Sequence, residues 1–223
     1  MMSKATTLLL ALAGALSTMF GAHAQDAAAG AQKAAMCIGC HGIYGYQSSF
    51  PEVHKVPMIS GQNAKYIVAA LTAYKKGERK HPTMRAIAGS MTDADMADLA
   101  AHYEKHGAAP ASPAVKLVAD TPALQPSPEV AALLAKGACV SCHGGNFSKP
   151  IDASYPKLAG QHPDYLAAAL RAYATTGNPN VGRGNAIMAG QVKQFKREEL
   201  KAMAAYIGAL PSELHTVPQS KFR

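Results

Sequence analysis

Cys37-Ile38-Gly39-Cys40-His41 and Cys139-Val140-Ser141-Cys142-His143 are the two stretches from which the rest of the chain is read. They hold all 4 cysteines of the 223-residue sequence. Cys-x-x-Cys-His is the attachment pattern of c-type haem. On a helical turn, thiols three positions apart lie on one side and reach the two vinyl groups on one edge of a porphyrin. The His that follows sits under the ring and offers a nitrogen to iron. Other readings fit less well. A thioredoxin-like redox disulfide needs a βαβ context and explains neither His. Structural disulfides in an exported protein are a second alternative. Zinc wants four closed ligands, and two Cys with one adjacent His make a poor cage. Two matches that use every cysteine point to two covalent haems, each with its iron.

The N-terminus reads as an export signal over residues 1–24. Lys4 supplies positive charge, Thr6 to Phe20 is a run of apolar and small residues, and Ala22-His23-Ala24 fits a small-x-small cleavage site. The expected mature chain begins near Gln25 and is located in the periplasm. An uncleaved anchor is the alternative, but the run is short of the ~20 apolar residues a spanning helix needs. The remaining length suits two domains of ~100 residues each.

Composition bears on the core. There is no Trp, and aromatic residues make up only 6% of the chain. Small domains bury a limited share of their surface. A flat apolar cofactor inside each would supply the missing core, so the haem-free polypeptide is expected to fold poorly. The formal charge is +8. Nothing resembles a nucleic-acid motif, and export disfavours that partner. The expected partners are redox proteins with acidic docking surfaces, and an anionic membrane surface is a second expected contact. The charge is dispersed through both halves, which also fits a merely solvated basic surface.

Outward from the two Cys-His stretches, the chain repeats itself. The stretches are offset by 102 positions. Val56-Pro57-Met58-Ile59-Ser60-Gly61-Gln62 matches Tyr155-Pro156-Lys157-Leu158-Ala159-Gly160-Gln161 at an offset of 99, which also aligns Tyr66 with Tyr165 and Tyr74 with Tyr173. Past Tyr173 the second copy gains residues, and an offset of 104 pairs Arg79 with Arg183 and Ala100-Ala101 with Ala204-Ala205. The expected division is a first domain over 25–107, a Pro/Ala-rich connector over 108–126 with Pro110, Pro113, Pro122 and Pro126, and a second domain over 127–223. The second ends in a short tail after Leu210.

Each half reads as helical, so the expected fold class is all-α with two tandem domains, each wrapped around one haem. Asp26 predicts the cap of a helix through Ala27–Met36 into the first haem stretch. Ser127 followed by Pro128 predicts the counterpart. A middle helix follows each Gly-Gln, with Tyr66/Leu71/Tyr74 and Tyr165/Leu170/Tyr173 on its apolar face, and ends near Gly77 or Gly177. Those tyrosines read as packing residues rather than as part of the chemistry. The last helix starts at a capping-box-like Thr92 and Asp95, or at Lys196, a poor cap offset by Glu198 and Glu199. No sustained alternation predicts a substantial sheet.

The repeat also selects the second axial ligand. Electron-transfer haems take Met or a second His there, and the ligand should recur in register. The second half has two methionines, Met188 and Met203; moved back by 104 they fall on Met84 and Leu99. Only Met84/Met188 recurs, in what reads as a loop between helices. Met36, Met58, Met91 and Met96 are accounted for by packing. The other histidines have no His counterpart. The expected iron ligands are therefore His41 with Met84 and His143 with Met188. Arg79 and Arg183, shortly before each Met, are candidates to pair with haem propionates, with a solvent-facing Arg as the alternative. Pro57 and Pro156 are candidates to offer a carbonyl to each ligand imidazole, with a plain turn proline as the alternative.

With these residues in place, the sequence resembles the two-haem cytochrome c4 family. The likeness rests on the two Cys-x-x-Cys-His stretches, two Pro-x-[Ile/Leu]-x-Gly-Gln segments and two late methionines. The resemblance implies tandem class I cytochrome c domains with His/Met iron. It also implies an electron carrier rather than an enzyme, passing electrons from quinol-oxidising complexes or dehydrogenases to terminal oxidases or reductases. The rival readings are a haem c subunit of a thiosulfate or alcohol dehydrogenase, or a small peroxidase.

Overall fold

A computed structural model of the chain describes residues 25–107 and 124–218. The expected signal and most of the connector, with Pro110, Pro113 and Pro122, lie outside the described residues. The first half runs α1 (Ala27–Lys33), α2 (Ala35–His41), β1 (Gln47–Ser48), β2 (His54–Lys55), α3 (Ala64–Lys75), β3 (Arg79–Lys80), α4 (Pro82–Gly89) and α5 (Asp93–Lys105). The second runs α6 (Pro128–Lys136), α7 (Cys139–His143), α8 (Pro163–Ala174), β4 (Gly182–Arg183), α9 (Ala186–Val192) and α10 (Arg197–Ala209). The fold is two tandem helical domains, and the only strands among the described residues are two-residue ribbons.

The caps explain where helices begin. The Asp26 carboxylate accepts from the N–H groups of Ala28 and Ala29, and Ser127 Oγ accepts from Val130 N–H at 3.2 Å. Thr92 and Asp95 form a reciprocal capping box. At α10 the Glu199 carboxylate accepts from Lys196 N–H at 2.6 Å. That end is thus closed by a direct bond, beyond the dipole effect expected for it. The entry to the first haem stretch differs from the sequence reading. Instead of one helix through Met36, α1 stops at Ala34, which is fully buried, and α2 carries Cys37, Cys40 and His41. The second copy breaks harder, with Ala138 left-handed at φ 45°.

Each half has its own core. In the first, Ala34, Ile67, Met91, Met96, Leu99 and Tyr103 are buried together. In the second, Leu133, Leu134, Phe147, Leu166, Leu200, Met203 and Ile207 are. Leu99 and Met203 are 2% and 3% exposed, the core role expected of them. Met36 corrects the reading that packing accounts for it, because it is 52% exposed. Gly30 sets how closely α1 crosses α5: a Cβ there would stand 2.1 Å from the Asp98 carbonyl oxygen. Gly61 and Gly160 recur with positive φ, 83° and 68°, and donate to the last-helix carbonyls of Tyr103 and Ile207 at 2.8 and 2.9 Å.

The two halves meet along a pseudo-twofold seam. β3 pairs antiparallel with β4, Arg79 opposite Arg183. Glu52 takes hydrogen bonds from Arg171 across the seam and lies 3.5 Å from Arg197. The tail after Leu210 returns to the first domain, where His215 N–H donates to Ser60 O at 3.0 Å.

Candidate functional site

Each Cys-His stretch ends its helix with a His whose ring is anchored. His41 Nδ1 lies 2.7 Å from Pro57 O. His143 Nδ1 lies 3.4 Å from Pro156 O. A carbonyl only accepts, so Nδ1 carries the proton and Nε2 is left with its lone pair. Burial pushes the pKa of both imidazoles down, outweighing the carbonyl bond that works the other way. Both are therefore held neutral, the form that binds a metal. The four thiols are half-buried and unbridged. Burial pushes the Cys37 and Cys139 thiols up. Cys37 packs against the first core and Cys139 against the second.

The two methionines occupy one structural position. Met84 N–H donates to the capping His81 at 3.4 Å, and Met188 N–H to the capping Asn185 at 2.9 Å. Each is the third residue of a short helix, α4 or α9, rather than part of a loop as the sequence reading had it. Both side chains are half-buried; Met188 packs against the same core as Cys139, Leu158 and Tyr165.

Arg79 and Arg183 are brought together at the seam, which the sequence did not foretell. Arg79 donates to Tyr66 Oη at 3.2 Å and across the seam to Tyr165 Oη at 2.7 Å. Arg183 donates to the same Tyr165 Oη at 3.1 Å. Arg79 also lies over the Tyr74 ring at 4.7 Å, and Arg183 over Tyr173 at 5.4 Å. The tyrosines assigned to packing thus take part in the polar site: their hydroxyls and ring faces hold the guanidiniums. The solvent-facing alternative for Arg79 does not hold, since its Nε is buried and has no partner. No carboxylate among the described residues pairs with either arginine. Burial raises the Tyr66 phenol to about 12. Burial would raise Tyr165 too, but the two guanidiniums outweigh it and draw that phenol down to about 8. The seam therefore concentrates positive charge with an unfilled donor.

These features fit a haem in each half. Paired thiols, a neutral imidazole with a fixed tautomer and a thioether at one repeated position match its edge and its iron. Two guanidiniums lacking carboxylates match its acidic side chains. Gln62 and Gln161, quoted in the repeat but given no role, are only 3% and 4% exposed. The signal that would have found them is their recurrence just after a left-handed glycine.

The cytochrome c family model matches residues 27–105 and 129–211. Cytochrome c4 of Azotobacter vinelandii is 31% identical over 219 residues, covering 94% of this chain and 100% of that one. A thiosulfate dehydrogenase electron acceptor of Stutzerimonas stutzeri is 31% identical over 185 residues, covering 79% and 80%. The crystal structure of reduced cytochrome c4 from Pseudomonas stutzeri superposes with a TM-score of 0.58 at 26% identity, covering 84% of this chain and 100% of that one. The chain therefore belongs to the cytochrome c family, as a cytochrome c4-like electron carrier with two tandem domains and two covalently attached haems.

Proposed function

We propose that the chain works in the periplasm, after removal of residues 1–24. There it passes single electrons from a quinol-oxidising complex or a dehydrogenase to a terminal oxidase or reductase. Residues 25–107 and 127–223 are the two electron-carrying units, joined by 108–126. His41 with Met84, and His143 with Met188, would hold the two irons; Cys37 and Cys40, and Cys139 and Cys142, would hold the two porphyrins covalently. When bound, each haem supplies one-electron ferric/ferrous cycling. The protein's part is to hold Nε2 of His41 and His143 free for iron through the Pro57 and Pro156 carbonyls. Arg79 and Arg183 would pair with the acidic side chains of the haems at the seam. With two ligands per iron no coordination position stays open, which favours electron transfer over peroxide chemistry. The observation that carries this reading is the recurrence of the whole set: Cys pair, anchored His, Met at the third position of a short helix, and seam Arg.

A dehydrogenase as donor is favoured by the relatives named as thiosulfate dehydrogenase electron acceptors. Acidic patches on the partner, and an anionic membrane surface, suit the basic chain. Ligation is tested with Met84→Ala and Met188→Ala. Each is expected to convert one haem to a form that binds carbon monoxide when reduced, at a lowered potential, and to leave the other unchanged. An unaltered spectrum in either variant overturns that ligand. Reduction rates by thiosulfate dehydrogenase and by a quinol-oxidising complex, followed across ionic strength, distinguish the donors. A rate independent of salt removes the acidic docking surface.

A further inference from the structure

The seam is built on two glutamines that each reach into the other domain. Gln161 Oε1 accepts from Met58 N–H at 3.0 Å, and its Nε2 donates to Met58 O at 2.9 Å. Gln62 does the same to Lys157: Oε1 accepts from the N–H at 2.9 Å and Nε2 donates to the O at 3.0 Å. Each Oε1 also accepts from the next residue of its own chain segment, Asn63 or His162, at 3.0 Å. Two N–H donors at one end and a carbonyl at the other fix the orientation of both amides.

The peptide units these glutamines grip are the ones that anchor the histidines. In the Pro57–Met58 unit the carbonyl faces His41 Nδ1 and the N–H faces Gln161. In the Pro156–Lys157 unit the carbonyl faces His143 Nδ1 and the N–H faces Gln62. A peptide whose N–H is engaged is a better acceptor at its oxygen, because bonds in such a chain polarise one another. A better acceptor draws the Nδ1 proton away and makes the imidazole more basic. A more basic ligand stabilises ferric over ferrous iron.

We infer that Gln62 and Gln161 are crossed tuning residues: each lowers the reduction potential of the haem in the opposite domain. Docking of the two domains thereby sets both potentials, and a domain taken from its partner loses the correction. This rests on His41 and His143 being iron ligands.

The test is a spectroelectrochemical titration of the full dihaem protein, with the two haems assigned by NMR, in Gln161→Met and Gln62→Met. Gln161→Met is expected to raise the potential of the His41 haem and leave the His143 haem in place; Gln62→Met does the reverse. The expected size is roughly a two- to threefold change in the ferric/ferrous ratio, or about 18–28 mV at 59 mV per tenfold change. Gln161→Glu keeps an oxygen toward Met58 N–H and returns the His41 haem to the parent value or below. A shift in the haem of the mutated domain, equal shifts in both, or no shift overturns the inference. Equal shifts would be the mark of a seam that has merely loosened. If the ligand assignment itself is wrong, the parent protein already lacks His/Met spectra, whereas failure of the tuning leaves those spectra intact.

Discussion

At the residue scale, the two proposed iron sites are the same in design and unequal in detail. The His41–Pro57 contact is 2.7 Å and the His143–Pro156 contact 3.4 Å. The first is a short, strong bond and the second lies at the outer limit of one. The stronger bond makes His41 the more basic of the two proposed ligands. The haem of the first domain is therefore expected to titrate at the lower potential, giving two resolved one-electron steps. A first-domain haem that titrates above the second contradicts this. The anchoring carbonyls were legible in the sequence because a proline recurs at a fixed distance before Gly-Gln. The arginine–tyrosine cluster was not. Arg79 meets Tyr165, 86 positions away, and a pairing between repeats leaves no trace in the periodicity of either one.

At the element scale, close approach and charge hold α1 against α5. A methyl at Gly30 would stand 2.1 Å from Asp98 O and 2.8 Å from His102 Cβ. Gly30→Ala is thus expected to push the helices apart and cost the first domain about 1–3 kcal/mol, as overpacking does, in denaturant unfolding. An unchanged midpoint would show that the crossing gives way freely. Lys33 bridges the same two helices, 2.7 Å from both Asp95 and Asp98. Lys33, with Thr92, holds the Asp95 carboxyl well below its ordinary value. Lys33, with Asp26 N–H, also lowers the Asp98 carboxyl. Their folded pKa values lie below the unfolded value of 3.8, so this stabilisation is complete above about pH 4 and is lost as pH falls through the folded values. Lys33→Met is expected to flatten the acid-unfolding curve of the first domain below pH 4; a parallel curve contradicts it. The caps at Asp26, Thr92 and Ser127 were legible because capping is local chemistry. The break at Ala34 was not, since no Gly or Pro marks it and it follows from burial against α5.

At the scale of the whole molecule, two small cores and a polar seam carry the chain. Among the described residues, only Phe147 and Met96 are large side chains less than 2% exposed. The cofactors are therefore expected to complete the cores, and haem-free protein should melt broadly; a sharp cooperative transition would contradict this. Tandem domains were legible from the duplication alone. How they face each other was not, because strand pairing between β3 and β4 and the crossed glutamines come from docking, which no single repeat encodes.

The most direct measurement is mass mapping of haem-bearing peptides from the purified holoprotein. The account predicts two, one joining a porphyrin to Cys37 and Cys40 and the other to Cys139 and Cys142. Absence of the porphyrin mass from either peptide would contradict it.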